Sequence, residues 1–193
     1  MKKLLIHCIA LASLLINVAC TEQDPRCTRL PSGGRFCLQP TTALAAFDAQ
    51  QIVEASFNGR KETLIIEMES GAEGLRLAGL TPFGHKILQI HYDNNTTIAT
   101  TSPNVNIDPV LMISLLQLTL WPADAVRKGL DVEMILEESG NSRRILYRNE
   151  TILTATRTGT KPPYDQIRLI IPSVKLEIDI RSLSVPQNTG QEP

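Results

Sequence analysis

Residues 108–130 read DPVLMISLLQLTLWPADAVRKGL, the one long apolar run beyond the N-terminal segment. Asp108 suits an N-cap, and Pro109 suits the first helical position, where a missing N–H costs nothing. From Val110 to Leu120 only Ser114, Gln117 and Thr119 are polar. A helix this apolar all round is predicted to be buried on several sides, and at ~1.5 Å per residue it is too short to span a bilayer. Trp121-Pro122 stops it, and residues 123–130 read as a second short helix with Gly129 near its end.

On either side of this pair the chain reads as β-strand. Residues 50–57 run to Asn58-Gly59, the strongest short hairpin signal, and 60–69 answer them. Further strands are predicted over 75–80, 85–92 and 96–101, and after the helices over 131–138, 143–148, 151–157, 166–171 and 174–181. In the last, Val174, Leu176, Ile178 and Ile180 alternate with Lys175, Glu177, Asp179 and Arg181, which predicts one dry face and one wet face. Residues 41–47, TTALAAF, read as one or two helical turns. The fold class is mainly β with inserted helices: a curved antiparallel sheet or incomplete β-barrel of about ten strands. A sheet of that width tends to curl, and the mid-chain helix is the natural cover for its concave face.

The first 19 residues have the anatomy of an export signal: Lys2 and Lys3, an apolar run over 4–16, then Ala19-Cys20. The segment resembles a bacterial lipoprotein signal, which implies lipidation (palmitate among the acyl chains) on Cys20. Asn17 departs from that pattern, and an ordinary secreted protein or an N-terminal membrane anchor is the alternative. Thr21 in place of Asp favours the outer membrane in that resemblance. Residues 20–26 then form a tether, 27–185 the folded domain and 186–193 a disordered tail. Without Lys2 and Lys3 the balance is 17 basic to 20 acidic residues. That gives no basic footprint for nucleic acid, and the scarce aromatics give no stacking platform. Cys27 and Cys37 flank TRLPSGGRF and read as a disulfide in an oxidising periplasm. A redox or metal pair is the rival reading, but the spacing is far from C-x-x-C and no histidine lies near.

Motifs for catalysis are missing. The chain contains no G-x-S-x-G, no H-E-x-x-H and no Gly-rich phosphate loop followed by lysine. His85 and His91 are expected on one strand face roughly 20 Å apart, too far to share a metal, and read as two surface histidines. The pairs Glu67/Glu69 and Glu177/Asp179, and the dipeptide Arg143-Arg144, read as solvated positions. No catalytic residue, metal or cofactor is therefore assigned, and a non-enzymatic protein is expected. The turn Thr81-Pro82-Phe83-Gly84 stands out, because it places one of only four phenylalanines between two strands.

GLTPFGHKILQIHYDN and the helix ending in Leu120-Trp121, behind a lipoprotein-type start, resemble the LolA/LolB-like superfamily of outer-membrane lipoprotein receptors and their periplasmic relatives. The first stretch is similar to that family's strand–PLG–strand hairpin, with Phe83 for its usual Leu. CTRLPSGGRFCLQP with LLQLTLWPADAVRKGL resembles a family of uncharacterised bacterial lipoproteins held to share that fold, often encoded beside genes for fatty-acid-like or aryl-polyene synthesis. The Cys27/Cys37 loop is foreign to the receptors themselves. The resemblance, over roughly residues 27–181, implies a hydrophobic cavity under the helices that holds acyl chains. Leu64, Ile66, Leu111, Leu115, Leu118, Ile178 and Ile180 would line it, and Pro82, Phe83 and Gly84 would form a membrane-contact loop. It also implies a monomer anchored in the outer membrane, facing the periplasm, with a lipid or acylated ligand and a periplasmic carrier protein as partners. A structural or assembly lipoprotein with a filled core is the alternative, and an acyl-processing enzyme a third.

Intact mass of the membrane-extracted protein tests the covalent part of this reading. A diacylglyceryl addition at Cys20 is expected, together with no alkylation of Cys27 or Cys37 before reduction.

Overall fold

A computed structural model describes residues 24–183. The signal, Cys20 and the tail from residue 184 onward lie outside the described residues. Twelve strands are present: β1 Cys27–Arg29, β2 Arg35–Cys37, β3 Phe47–Phe57, β4 Arg60–Gly71, β5 Gly74–Leu80, β6 Lys86–Tyr92, β7 Thr97–Thr101, β8 Met134–Ser139, β9 Ser142–Tyr147, β10 Glu150–Thr158, β11 Gln166–Ile171 and β12 Leu176–Ser182. Two helices, α1 Pro109–Leu120 and α2 Ala123–Gly129, fall between β7 and β8. Ten strands form one antiparallel sheet in the order β7-β6-β5-β4-β3-β12-β11-β10-β9-β8, and β1 and β2 form a separate hairpin. β7 and β8 are the two free edges and do not pair with each other, so the barrel is not closed.

Local chemistry accounts for most of these elements. Asn58 and Gly59 both take positive φ, at 49° and 78°, as the tight turn between β3 and β4 requires. Asp108 caps α1, its side chain accepting from the backbone N–H groups of Val110 and Leu111. Trp121 is extended, as a residue before proline tends to be, and ends the helix. Gly129 is needed for a close approach: a Cβ there would lie 2.5 Å from the Cys37 carbonyl oxygen. Cys27 and Cys37 face each other across β1 and β2, with their sulfurs 2.00 Å apart in a disulfide.

Expectations change at residues 41–47, at Val174 and at the two histidines. Residues 41–47 make only a short 3-10 turn over Thr41–Ala43, and Phe47 already belongs to β3, whose pairing with β4 outweighs alanine's helical preference. Val174 lies in a 3-10 turn, Pro172–Val174, that ends on Lys175 at φ 51°, so β12 starts at Leu176. His85 precedes β6, and an irregularity between Gly79 and Leu80 shifts the pairing there, so the two histidines do not share one regular strand. His91 is half-buried rather than a surface residue.

The core joins inward side chains of both wings of the sheet to the helices and the N-terminal hairpin. Leu75, Ile90 and Tyr92 on one side, Ile145, Leu153 and Ala155 on the other, and Phe36, Ile113, Leu118 and Trp121 between them are all inaccessible or nearly so. Because Asp108 also accepts a hydrogen bond from Thr28 Oγ1 at 3.1 Å, its carboxylate ties α1 to β1. Asp108→Ala is expected to lower unfolding stability by about 1 kcal/mol, read from chemical denaturation, with the cap supplying most of the loss.

Candidate ligand-binding mouth

The two ends of the sheet differ. At the end carrying the β4–β5 and β6–β7 turns, side-chain hydrogen bonds strap the N-terminal segment to the sheet and α1, while Ser70 Oγ, His91 Nδ1 and Thr97 Oγ1 are buried there without a hydrogen-bond partner among the described residues. Gln39 N–H donates to Gln117 Oε1 at 2.7 Å, and Gln117 Nε2 donates back to the Gln39 carbonyl at 2.8 Å. Trp121 Nε1 donates to the Pro40 carbonyl at 3.1 Å. Thr41 Oγ1 donates to the Gly71 carbonyl at 2.6 Å, and the Thr41 N–H donates to Asn94 Oδ1. Beneath this strap the Tyr92 hydroxyl lies within reach of the Gln39 and Asn94 carbonyls. Burial pushes its phenol up to about 12.

The C-terminal end of α1 is fixed by two buried cations. Arg143 Nη1 donates to the carbonyls of Leu118 at 2.8 Å and Trp121 at 2.9 Å, while its Nη2 lies 2.6 Å from Glu138 Oε1. Arg157 Nη1 donates to the Thr119 carbonyl at 3.3 Å, and Nη2 reaches the same Glu138 oxygen at 3.1 Å. These carbonyls lack intrahelical partners and form the negative end of the helix dipole, so two guanidinium groups are well matched to them. The solvent-facing reading of Arg143 is therefore corrected: its side chain is 2% exposed. Strand parity held the signal, since Arg143 sits two residues from Ile145 and shares its inward face. Arg144 does face outward, paired with Glu137.

Toward the opposite end, the inward face of the central strands opens. On β4, Ser70, Met68 and Ile66 are buried, Leu64 is half-buried and Glu62 is exposed. On β3, Gln51 is buried, Val53 is half-buried and Phe57 is 48% exposed. Leu176, Ile178 and Ile180 of β12 are half-buried rather than dry. The register aligns Leu64, Val53 and Ile180 in one cross-strand row, and Ala55 and Ile178 in the next. The N-terminal half of α1 has the same character: Leu111, Met112, Leu115 and Leu116 are half-buried, while Ile113, Leu118 and Leu120 are buried. Of the seven residues expected to line a cavity, Leu118 and Ile66 belong to the closed core, and the other five are half-buried.

The β5–β6 turn lies at this open end. Gly84 N–H donates to the Thr81 carbonyl at 2.8 Å and Thr81 N–H to the His85 carbonyl at 2.9 Å, closing a tight loop around Pro82 and Phe83. Phe83 is 89% exposed. Elsewhere the sheet's outward face is charged. A concavity of about 480 Å³ beside Glu67, Glu69 and Arg76 is one example, and another of about 470 Å³ beside Arg168 and Asp179 includes Ile180. Glu177 and Asp179 are exposed and meet Arg168. Among the described residues, no cluster of three or more His, Cys, Asp or Glu could hold a metal ion. No helix among them is long and apolar enough to cross a membrane.

Burial pushes the Glu138 carboxyl up, but the hydrogen bonds and charges of Arg143 and Arg157 together bring it below the usual carboxylate range. A lowered folded-state pKa means this contribution is present above the unfolded value, near 4.5, and is lost as pH falls through the folded one. The denaturation midpoint should therefore fall on acidification from neutral pH, and Glu138→Gln should flatten that dependence. Arg143→Ala should cost about 3 kcal/mol at neutral pH, because it orphans two buried carbonyls and half of an ion-pair network.

No curated protein matches the chain. A family model does match residues 48–184, which run from β3 past β12. The chain belongs to DUF3261, a family described as protein of unknown function.

Proposed function

We propose that this protein is a non-enzymatic lipoprotein of the outer membrane, facing the periplasm, that holds a lipid or acylated ligand in a LolA/LolB-like half-barrel. In this reading the sheet curls and α1 lies across its concave face. Laid flat, β7 and β9 would stand about 38 Å apart at ~4.8 Å per strand. Yet α1, about 18 Å long at ~1.5 Å per residue, packs near β7 and accepts hydrogen bonds from Arg143 on β9. Only a curled sheet brings both wings within its reach.

The observation that carries the ligand is the half-buried apolar lining of the open end. Full burial of a Leu or Ile side chain is worth about 1.5–3 kcal/mol, so a fold that leaves a cluster of them part-exposed forgoes stability unless something else covers them. An acyl chain fits such a lining, since it asks for no polar partner. Leu64, Leu111, Leu115, Ile178 and Ile180 would contact it, and the strapped, arginine-pinned end would keep the walls in place. Cys20 would carry the anchor, Phe83 would touch the membrane during transfer, and a periplasmic carrier would deliver cargo to a monomer. Fatty-acid-like or aryl-polyene products are one class of such cargo.

A fluorescent fatty-acid analogue should bind the purified protein and be displaced by unlabelled acyl ligands. Leu115→Glu should abolish binding while the far-ultraviolet dichroism stays unchanged. Absence of binding by the well-folded protein would favour a structural lipoprotein with a filled core. Phe83→Glu should leave the melting temperature nearly unchanged, given the exposure of that side chain, and weaken transfer to vesicles. A drop of several degrees with transfer intact would remove the membrane-tip role.

A further inference from the structure

Phe57, the second exposed phenylalanine of the open end, lies on a different tip from Phe83, where β3 turns into β4. The register sets Phe57 opposite Arg60 on one side and Leu176 on the other. Lys175, next to Leu176, occupies the neighbouring β11–β12 tip in the left-handed conformation, and Lys61 follows Arg60. Arg60, Lys61 and Lys175 are all exposed, and among the described residues none takes part in an ion pair. The acids nearest in register are Glu62, which is exposed, and Glu177, which is held by Arg168 at 2.8 Å. At the other end of the sheet the turns carry Glu73, Asp93 and Asp165 against Lys161. In a chain with more acidic than basic residues, three cations without an ion pair and an exposed aromatic ring share one pair of adjacent tips.

We infer that these two tips are a docking patch for an anionic lipid surface: Arg60, Lys61 and Lys175 take phosphate headgroups while Phe57 enters the interface between them. Basic residues are drawn to such a surface by its negative potential, and an aromatic ring suits the headgroup level. The patch fixes which way the domain faces, with the apolar mouth toward the bilayer and the acidic turns away. This orientation deepens the ligand reading above, but the electrostatic contact stands or falls separately.

The test reconstitutes the full chain into vesicles of phosphatidylcholine alone or with about 30% phosphatidylglycerol, and follows lysine acetylation by mass spectrometry. With the anionic lipid, labelling of Lys61 and Lys175 should slow on the order of fivefold, while Lys161 should be unaffected. Salt near ~0.5 M should reverse the protection, because it shortens the screening length. Arg60→Glu, checked for folding by the fluorescence of buried Trp121, should also remove it. Equal labelling in both vesicles, or protection that survives Arg60→Glu, would overturn the patch. The acyl-probe assay on the same preparations separates the two ideas. Lysine protection without probe binding sinks the ligand reading alone, and probe binding without protection sinks the patch alone.

Discussion

Two arginines inside the sheet hold the end of a helix that has almost no polar face of its own. Arg143 and Arg157 reach the carbonyls of Leu118, Thr119 and Trp121 and share the carboxylate of Glu138. A helix apolar all round has no preferred rotation from hydrophobic burial, since every side is equally content inside. Its orientation must come from directional contacts. Here these are the guanidinium groups at its C-terminus, the Asp108–Thr28 contact at its N-terminus and the Gln39–Gln117 pair between them. Burying two guanidinium groups costs desolvation, and their carbonyl acceptors together with the partly exposed Glu138 carboxylate offset that cost.

The remaining architecture follows from that placement. With the C-terminal half of α1 locked against β9, β10 and the strap at Gln39–Thr41, one end of the sheet is tied by directional hydrogen bonds, and Leu75, Ile90, Tyr92, Leu118 and Trp121 beneath them are inaccessible. The N-terminal half of α1 and the middle strands β3, β4 and β12 have no comparable cover, so exposure rises along them toward the Asn58-Gly59 turn. In the proposed reading, a strapped end and an under-covered apolar end on one scaffold would let the domain hold a greasy ligand without unfolding around it. The exposed phenylalanines, Phe57 and Phe83, stand on hairpin tips at the under-covered end.

The local elements were legible in the sequence, because short-range chemistry decided them. Asp108-Pro109, Trp121-Pro122 and Asn58-Gly59 each fix a boundary through the chain's own φ preferences and orphaned N–H groups, and the structure places those boundaries where they were expected. The turn at residues 81–84 was visible for the same reason. Period-two alternation gave the faces of β12, but not how dry the inner face would be: Ile178 and Ile180 point inward and remain half-buried. The alanines of residues 41–47 misled because strand pairing with β4 claimed Phe47.

By itself, then, the amino-acid order determined a mainly β chain with one apolar helix, a second short helix behind it and a cysteine pair close enough to bond. These depend on residues near one another in sequence, whose preferences hold in almost any surroundings. Tertiary structure alone decided that Arg143 meets the end of α1, that Arg157 and Glu138 join it, and that one end of the sheet is strapped while the other is not. Those outcomes depend on which strand neighbours which and where α1 comes to rest. Arg143 and Leu118 are 25 positions apart and Arg157 and Thr119 are 38 apart. No local preference carries information over such distances, and only the packed sheet brings a cation to a helix end.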